Sequence, residues 1–198
     1  MKSLSSVIAE ILGSEGVISK QDVDACKFGL DYFIISILEI LSVLLISIFV
    51  GNFIFTLLYF IFFIPLRMYS GGYHADSKLA CYLILIAVYI CFTLFIEYFP
   101  VNYYRLFEII SLVTCISLIF LLSPIPVGNR IYGKTEKSVY RHYSIRIVFL
   151  ESIIVALGFI FAPESKFVIS LSLGQFAVTI SMVAAFVKNL FRGGETDE

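Results

Sequence analysis

The 198 residues are 60% hydrophobic and 15% charged, with a mean hydropathy of +0.97, where a soluble domain has about 45–50% and about 25%. Fourteen Lys and Arg against fifteen Asp and Glu leave a net charge of −1, so no global field attracts a polyanion. A water-soluble enzyme, a disordered chain and a nucleic-acid partner are excluded; the composition is that of an integral membrane protein.

The chain begins with a short amphipathic stretch. Leu4, Val7, Ile8, Ile11 and Leu12 recur at helical spacing, which predicts one apolar stripe on a helix ending near Gly13 or Gly16. Its polar positions include Glu10 and Glu15, so attraction to anionic lipid does not explain it. The stripe can lie on the inner leaflet, pack under the bundle or bind a partner helix. Acidic residues through the first thirty positions argue against a cleaved signal peptide. Residues 1–26 are therefore read as an N-terminal segment and 27–198 as a single membrane domain.

Six apolar stretches follow, at 33–50, 53–66, 79–96, 106–122, 145–162 and 167–187. A crossing helix needs about 20 apolar residues, with about 17–25 usual. The second has fourteen, between Asn52 and Arg67, and is either a short span or a re-entrant segment. Gly51-Asn52 reads as the turn before it. The predicted fold is an all-α integral membrane protein with six transmembrane helices, an N-terminal amphipathic helix and both termini cytoplasmic.

Cations set that orientation. With six spans and a cytoplasmic N-terminus, twelve of the fourteen Lys and Arg fall on the cytoplasmic side, and only Arg105 and Lys166 fall outside. A re-entrant second segment destroys this separation. Tyr98, Tyr103 and Tyr104 around Pro100 mark the outer interface, and Tyr132, Tyr140 and Tyr143 suit the inner one.

Within the apolar runs, Glu39 and Glu151 are costly in lipid and must be neutralised, pair with a cation such as Arg146, or line a path. Glu108 is expected to reach the outer headgroups. Four cysteines (Cys26, Cys81, Cys91, Cys115) show no Cys-x-x-Cys spacing, which argues against zinc or a redox pair. The longest polar loop, 123–144, has Pro124 and Pro126 to stop the preceding helix. Its cations Arg130, Lys134, Lys137 and Arg141 are a topology signal and a candidate grip for an acidic ligand.

Chemistry concentrates in 67–81, RMYSGGYHADSKLAC, on the predicted cytoplasmic side. His74 precedes Cys81 by seven residues, which puts both on one face of a helix beginning near Tyr73. An imidazole can take the thiol's proton and then stabilise the thiolate as a nucleophile. Gly71 and Gly72 permit positive φ, and their N–H groups can point at an oxyanion. Arg67 can orient a carboxylate or carbonyl of a bound peptide, and Asp76 and Ser77 can cap the next helix. The competing reading is a glycine turn beside an interfacial histidine. His142 has no assigned role, and the lone His, Cys and Asp76 lack zinc-site spacing.

Arg67, Gly71-Gly72-Tyr73-His74-Ala75 and Cys81, in a loop of a six-span chain, resemble the accessory gene regulator B (AgrB) family of bacterial quorum-sensing membrane peptidases. The resemblance implies a cysteine endopeptidase of the cell membrane, acting on the cytoplasmic face on an AgrD-like autoinducer precursor. His74 and Cys81 would take the catalytic positions, with Arg67, Gly71 and Gly72 as substrate or oxyanion support. Arg130, Lys134, Lys137 and Arg141 would meet the precursor's charged tail. No cofactor or metal is implied; the partners are the precursor peptide, the bilayer and, as a candidate, a second copy of the chain. A small transporter or scaffold, with or without peptide export, is the alternative class.

Overall fold

The computed structural model describes residues 4–19, 21–73, 75, 77–126 and 133–193. The described residues are mainly helical, with α1 at Leu4–Ser14, α2 at Val23–Val50, α3 at Phe53–Ser70 and α4 at Lys78–Tyr98. A 3₁₀ turn, Val101–Tyr103, leads into α5 (Tyr104–Leu122), followed by α6 (Lys134–Phe161) and α7 (Lys166–Gly193). Helices α2 to α7 contain six segments long and apolar enough to cross a membrane. The short second stretch is among them, because α3 runs on past Leu66 through Arg67 to Ser70. Exposed faces carry large apolar side chains, such as Leu121 and Phe161, which suits hydrocarbon and not water.

The chain forms two compact units, Met1–Phe49 and Val50–Glu198. In the first, α1 turns its small residues inward: Ser5, Ser6 and Ala9 are buried, and Ser5 Oγ donates to Asp31 Oδ1. A Cβ on Gly13 would lie 2.6 Å from Val23 Cγ2, so α1 lies antiparallel along the start of α2. The apolar stripe at Leu4, Val7 and Ile11 is exposed. Small side chains admit close helix contact, so they took the packed face that hydrophobicity alone would have given to leucine and valine.

In the second unit α7 is central and touches α3, α4, α5 and α6. Half of its apolar window is buried, against 17% for α4, which lies at the margin. The packed stripe of α7 runs Val168, Ser172, Gln175, Thr179, Met182, all buried at alternating spacings of four and three. Gly174 lets the α3 backbone approach: a Cβ there would sit 2.3 Å from Tyr59 O. Without a hydrophobic drive between helices in lipid, such contacts and hydrogen bonds hold the bundle. Gln175 Nε2 donates to Ser152 Oγ at 2.9 Å, joining α7 to α6, and Ser111 Oγ donates to Ser172 O at 3.5 Å, joining α5 to α7.

Two expectations change here. Glu108 is fully buried and does not reach the headgroups, because the α5 face that carries it, with Ser111 and Cys115, is the one turned into the unit. The 123–144 stretch is a loop only in its first part, since α6 starts at Lys134 and carries the cations beyond it as helix. A run of charged residues hid that helix from a hydropathy reading.

Candidate active site

The upstream half of the 67–81 segment is built by the end of α3. Gly71 caps that helix with φ +77°, and its N–H donates to Arg67 O at 3.3 Å. Only glycine fits: a Cβ on Gly71 would lie 2.1 Å from Ile125 O. Ile125 N–H donates to Ser70 O at 3.0 Å, so residues 70–71 and 125 form a single parallel bridge. Ser123 Oγ meets Ser144 Oγ at 2.5 Å beside it, tying this connection to α6.

Gly72, at φ +138°, lies under the Arg67 side chain; a Cβ would fall 1.7 Å from Arg67 Nη1 and 2.9 Å from Ser181 Oγ. Arg67 Nη2 donates to Tyr73 O. Tyr73 N–H donates to both Ser181 O at 2.9 Å and Ser181 Oγ at 3.1 Å. Lys188 Nζ stands 4.9 Å above the Tyr73 ring, a cation–π contact two helical turns beyond Ser181. Beneath lies a core of Leu66, Ile119, Ile125, Val148 and Met182, against which Tyr73 also packs. These contacts put the 67–81 segment, the start of the basic connection and the end of α7 together at one end of the unit.

The downstream half is local. Ser77 is the N-cap of α4; its Oγ accepts from Ala80 N–H at 3.1 Å, and its carbonyl accepts from Cys81 N–H at 3.0 Å. The expected cap by Ser77 is therefore present. The expected helix from Tyr73 is not: α4 starts at Lys78, because Tyr73 is drawn away by Arg67 and Ser181 and Ser77 starts the helix afresh. The helix that carries Cys81 therefore begins only at Lys78. Cys81 is half-buried in the first turn of α4 and forms no disulfide.

His74, Asp76 and Arg130 lie outside the described residues. Lys134 and Lys137 are exposed at the start of α6. Arg141 is otherwise engaged: its Nη2 donates to Phe120 O at 2.9 Å and its Nη1 to Ser123 O at 3.4 Å, closing the end of α5. Arg67 likewise holds Tyr73 O. Ile125, Ser181 and Lys188 were missed from the sequence. Each lies far along the chain, and nothing local to an apolar helix marks one serine as a loop anchor. Tyr69 stacks on Tyr143 at 5.0 Å, adding a second link from α3 to α6. Among the described residues no three His, Cys, Asp or Glu converge as a metal site.

Fold and site together define a multi-pass, all-α membrane protein whose glycine-pinned polar segment is clamped at one end of the bundle. The family model described as accessory gene regulator B matches residues 5–183, and the chain belongs to that family. A Clostridium perfringens (strain 13 / Type A) protein described as AgrB-like is 29% identical over 147 residues, which is 71% of this chain and 68% of that protein. No solved structure matches. Membership places the chain in quorum-sensing peptide processing, with an autoinducer precursor as partner and the membrane as its setting.

Proposed function

We infer that the protein is a membrane-embedded cysteine endopeptidase that cuts the C-terminal part from an AgrD-like precursor and promotes ring closure of the part retained. The observation that carries this reading is the double anchorage of 67–81. Tyr73, immediately before His74, is fixed by Arg67 and Ser181, and Ser77 fixes the turn that presents Cys81. Anchors on both sides of a His/Cys segment are what a nucleophile and its base need, since a near-attack geometry carries much of an enzymatic rate.

In this mechanism His74 takes the Cys81 proton, and the sulfur attacks a precursor carbonyl. The first turn of α4 is a favourable place for the anion. The C–N bond breaks, the tail leaves as an amine with the proton returned by the imidazolium, and a thioester on Cys81 remains. A cysteine thiol of the retained peptide gives its proton to the imidazole and attacks that thioester, forming a thiolactone and freeing Cys81. One thioester replaces another, so exclusion of water decides the outcome. The Gly71 amide is used in capping α3, so oxyanion support falls to the amide of Gly72. Arg67 acts by shaping this backbone.

The separation of Lys and Arg supports a cytoplasmic placement of the segment in a bacterial plasma membrane. The exposed Lys134 and Lys137, with Arg130, then supply the grip for an acidic tail, and Arg141 serves the end of α5. Membrane attachment of both partners raises their effective concentration.

The test is reconstitution with precursor peptide, comparing wild type with Cys81→Ala and His74→Ala. Cleavage lost in both, with peptide trapped on Cys81 as a thioester, is the expected result. Normal cleavage by Cys81→Ala overturns the mechanism. One observation favours peptide export as a second activity. Glu108 Oε1 and Oε2, Glu151 Oε2 and Gln175 Oε1 are buried between α5, α6 and α7 with no hydrogen-bond partner among the described residues. Glu108→Gln and Glu151→Gln should then lower peptide release across the membrane without lowering cleavage; unchanged release removes the export reading.

A further inference from the structure

We propose that Ser181, on the far helix α7, is the positioning residue that holds Tyr73 and, through it, serves the catalytic pair of the peptidase reading. This rests on the peptidase reading and assigns a role to a residue 108 positions downstream of the segment it holds. The argument starts from Tyr73. Its N–H is shared between Ser181 O and Ser181 Oγ, at 2.9 and 3.1 Å, and its carbonyl is held by Arg67 Nη2. Both backbone polar groups of Tyr73, the residue before His74, are therefore held by groups on other helices.

The same hydroxyl fills the space at Gly72. A Cβ there would lie 2.9 Å from Ser181 Oγ, so Ser181 and the Arg67 guanidinium enclose the glycine from two directions. Ser181 adjoins Met182, which is fully buried in the core beneath the loop, so its own place is set by tight packing. Lys188 extends the platform by lying over the Tyr73 ring. α7 thus offers the loop a rigid edge, and α4, at the margin of the unit, carries the nucleophile. The hydroxyl supplies one of the two acceptors for Tyr73 N–H. Its removal leaves the helix intact and loosens the hold on Tyr73, and a misplacement of about 1 Å in a site can cost about 10²-fold in rate.

The experiment uses the 198-residue protein in lipid vesicles: wild type, Ser181→Ala, Ser181→Thr, His74→Ala, and Cys81→Ala in the wild-type and His74→Ala backgrounds. Two readouts are taken, precursor cleavage as kcat and KM, and the pH profile of Cys81 alkylation by iodoacetamide, followed at that cysteine by mass spectrometry. Ser181→Ala should lose about 10²-fold in kcat with KM unchanged. Its alkylation profile should move to that of His74→Ala, and Ser181→Thr, which keeps the hydroxyl, should return towards wild type. If His74→Ala differs from wild type and Ser181→Ala does not, the positioning role is overturned and the peptidase reading stands. If wild type and His74→Ala share one alkylation profile and neither depends on Cys81 for cleavage, the peptidase reading itself has failed. A Ser181→Ala that merely denatures earlier, with an unmoved alkylation profile below its melting point, also overturns the proposal, because a packing role alone predicts that.

Discussion

From Arg67 to Tyr73 the backbone follows a path set by groups distant in sequence, Ile125, Ser181 and Lys188, whereas from Ser77 to Cys81 it is set by its own helix. The first half borrows its geometry from the tertiary fold; the second carries it in five consecutive residues. Changes far away should therefore reach the first half and spare the second.

The largest effects fall where the halves must cooperate. Cys81→Ala should abolish precursor cleavage, and His74→Ala should lower kcat by about 10²- to 10⁴-fold, the usual worth of a general base. Retention of full rate by His74→Ala would separate the two halves chemically and end the comparison.

Next comes the glycine pair. Gly71→Ala meets the Ile125 backbone oxygen at 2.1 Å and adds a side chain at φ +77°, a strain of about 1–3 kcal/mol. It should lower the thermal midpoint in detergent. Gly72→Ala meets first the end of the flexible Arg67 side chain, so it should cost less stability and more activity. Equal losses of stability would mean that the upstream half is not pinned by Ile125.

In the downstream half, Ser77→Ala removes one cap and should destabilise the first turn of α4 by about 1 kcal/mol, with Ser77→Asp restoring it. Amide exchange at Ala80 and Cys81 reads this directly, and exchange at Tyr73 should not change. A coupled change at Tyr73 would show the halves to be one unit.

The smallest effect is expected at the basic end of α6. Lys134→Glu with Lys137→Glu should raise KM for an acidic-tailed precursor a few-fold at low salt, fading as ionic strength rises. Arg141→Gln should instead lower stability, since its guanidinium holds Phe120 O and Ser123 O.

Much of the architecture was legible because lipid imposes long apolar helices, and their number and order read directly from hydropathy. The start of α6 was not, since Lys134 to Arg141 look polar although they are helical. Ser77 was legible because a cap acts within one turn. The loop's route was not, as a helix from Tyr73 satisfies every local rule and loses only to Arg67 and Ser181. The N-terminal stripe was found at the right spacing, yet Ser5 and Ala9 took the packed side. For helices in lipid, periodicity identifies the faces, and residue size decides which of them is buried.

The central place of α7 has a consequence in time. A ribosome delivers residues 67–81 a hundred residues before Ser181, so the glycine pair, Arg67 and Ser77 exist through that interval without the helix that completes them. Until α7 inserts, the Tyr73 amide lacks the Ser181 acceptors that hold it. α7 thus acts as a latch in time, and the path from Arg67 to Tyr73 closes only once that helix is in place.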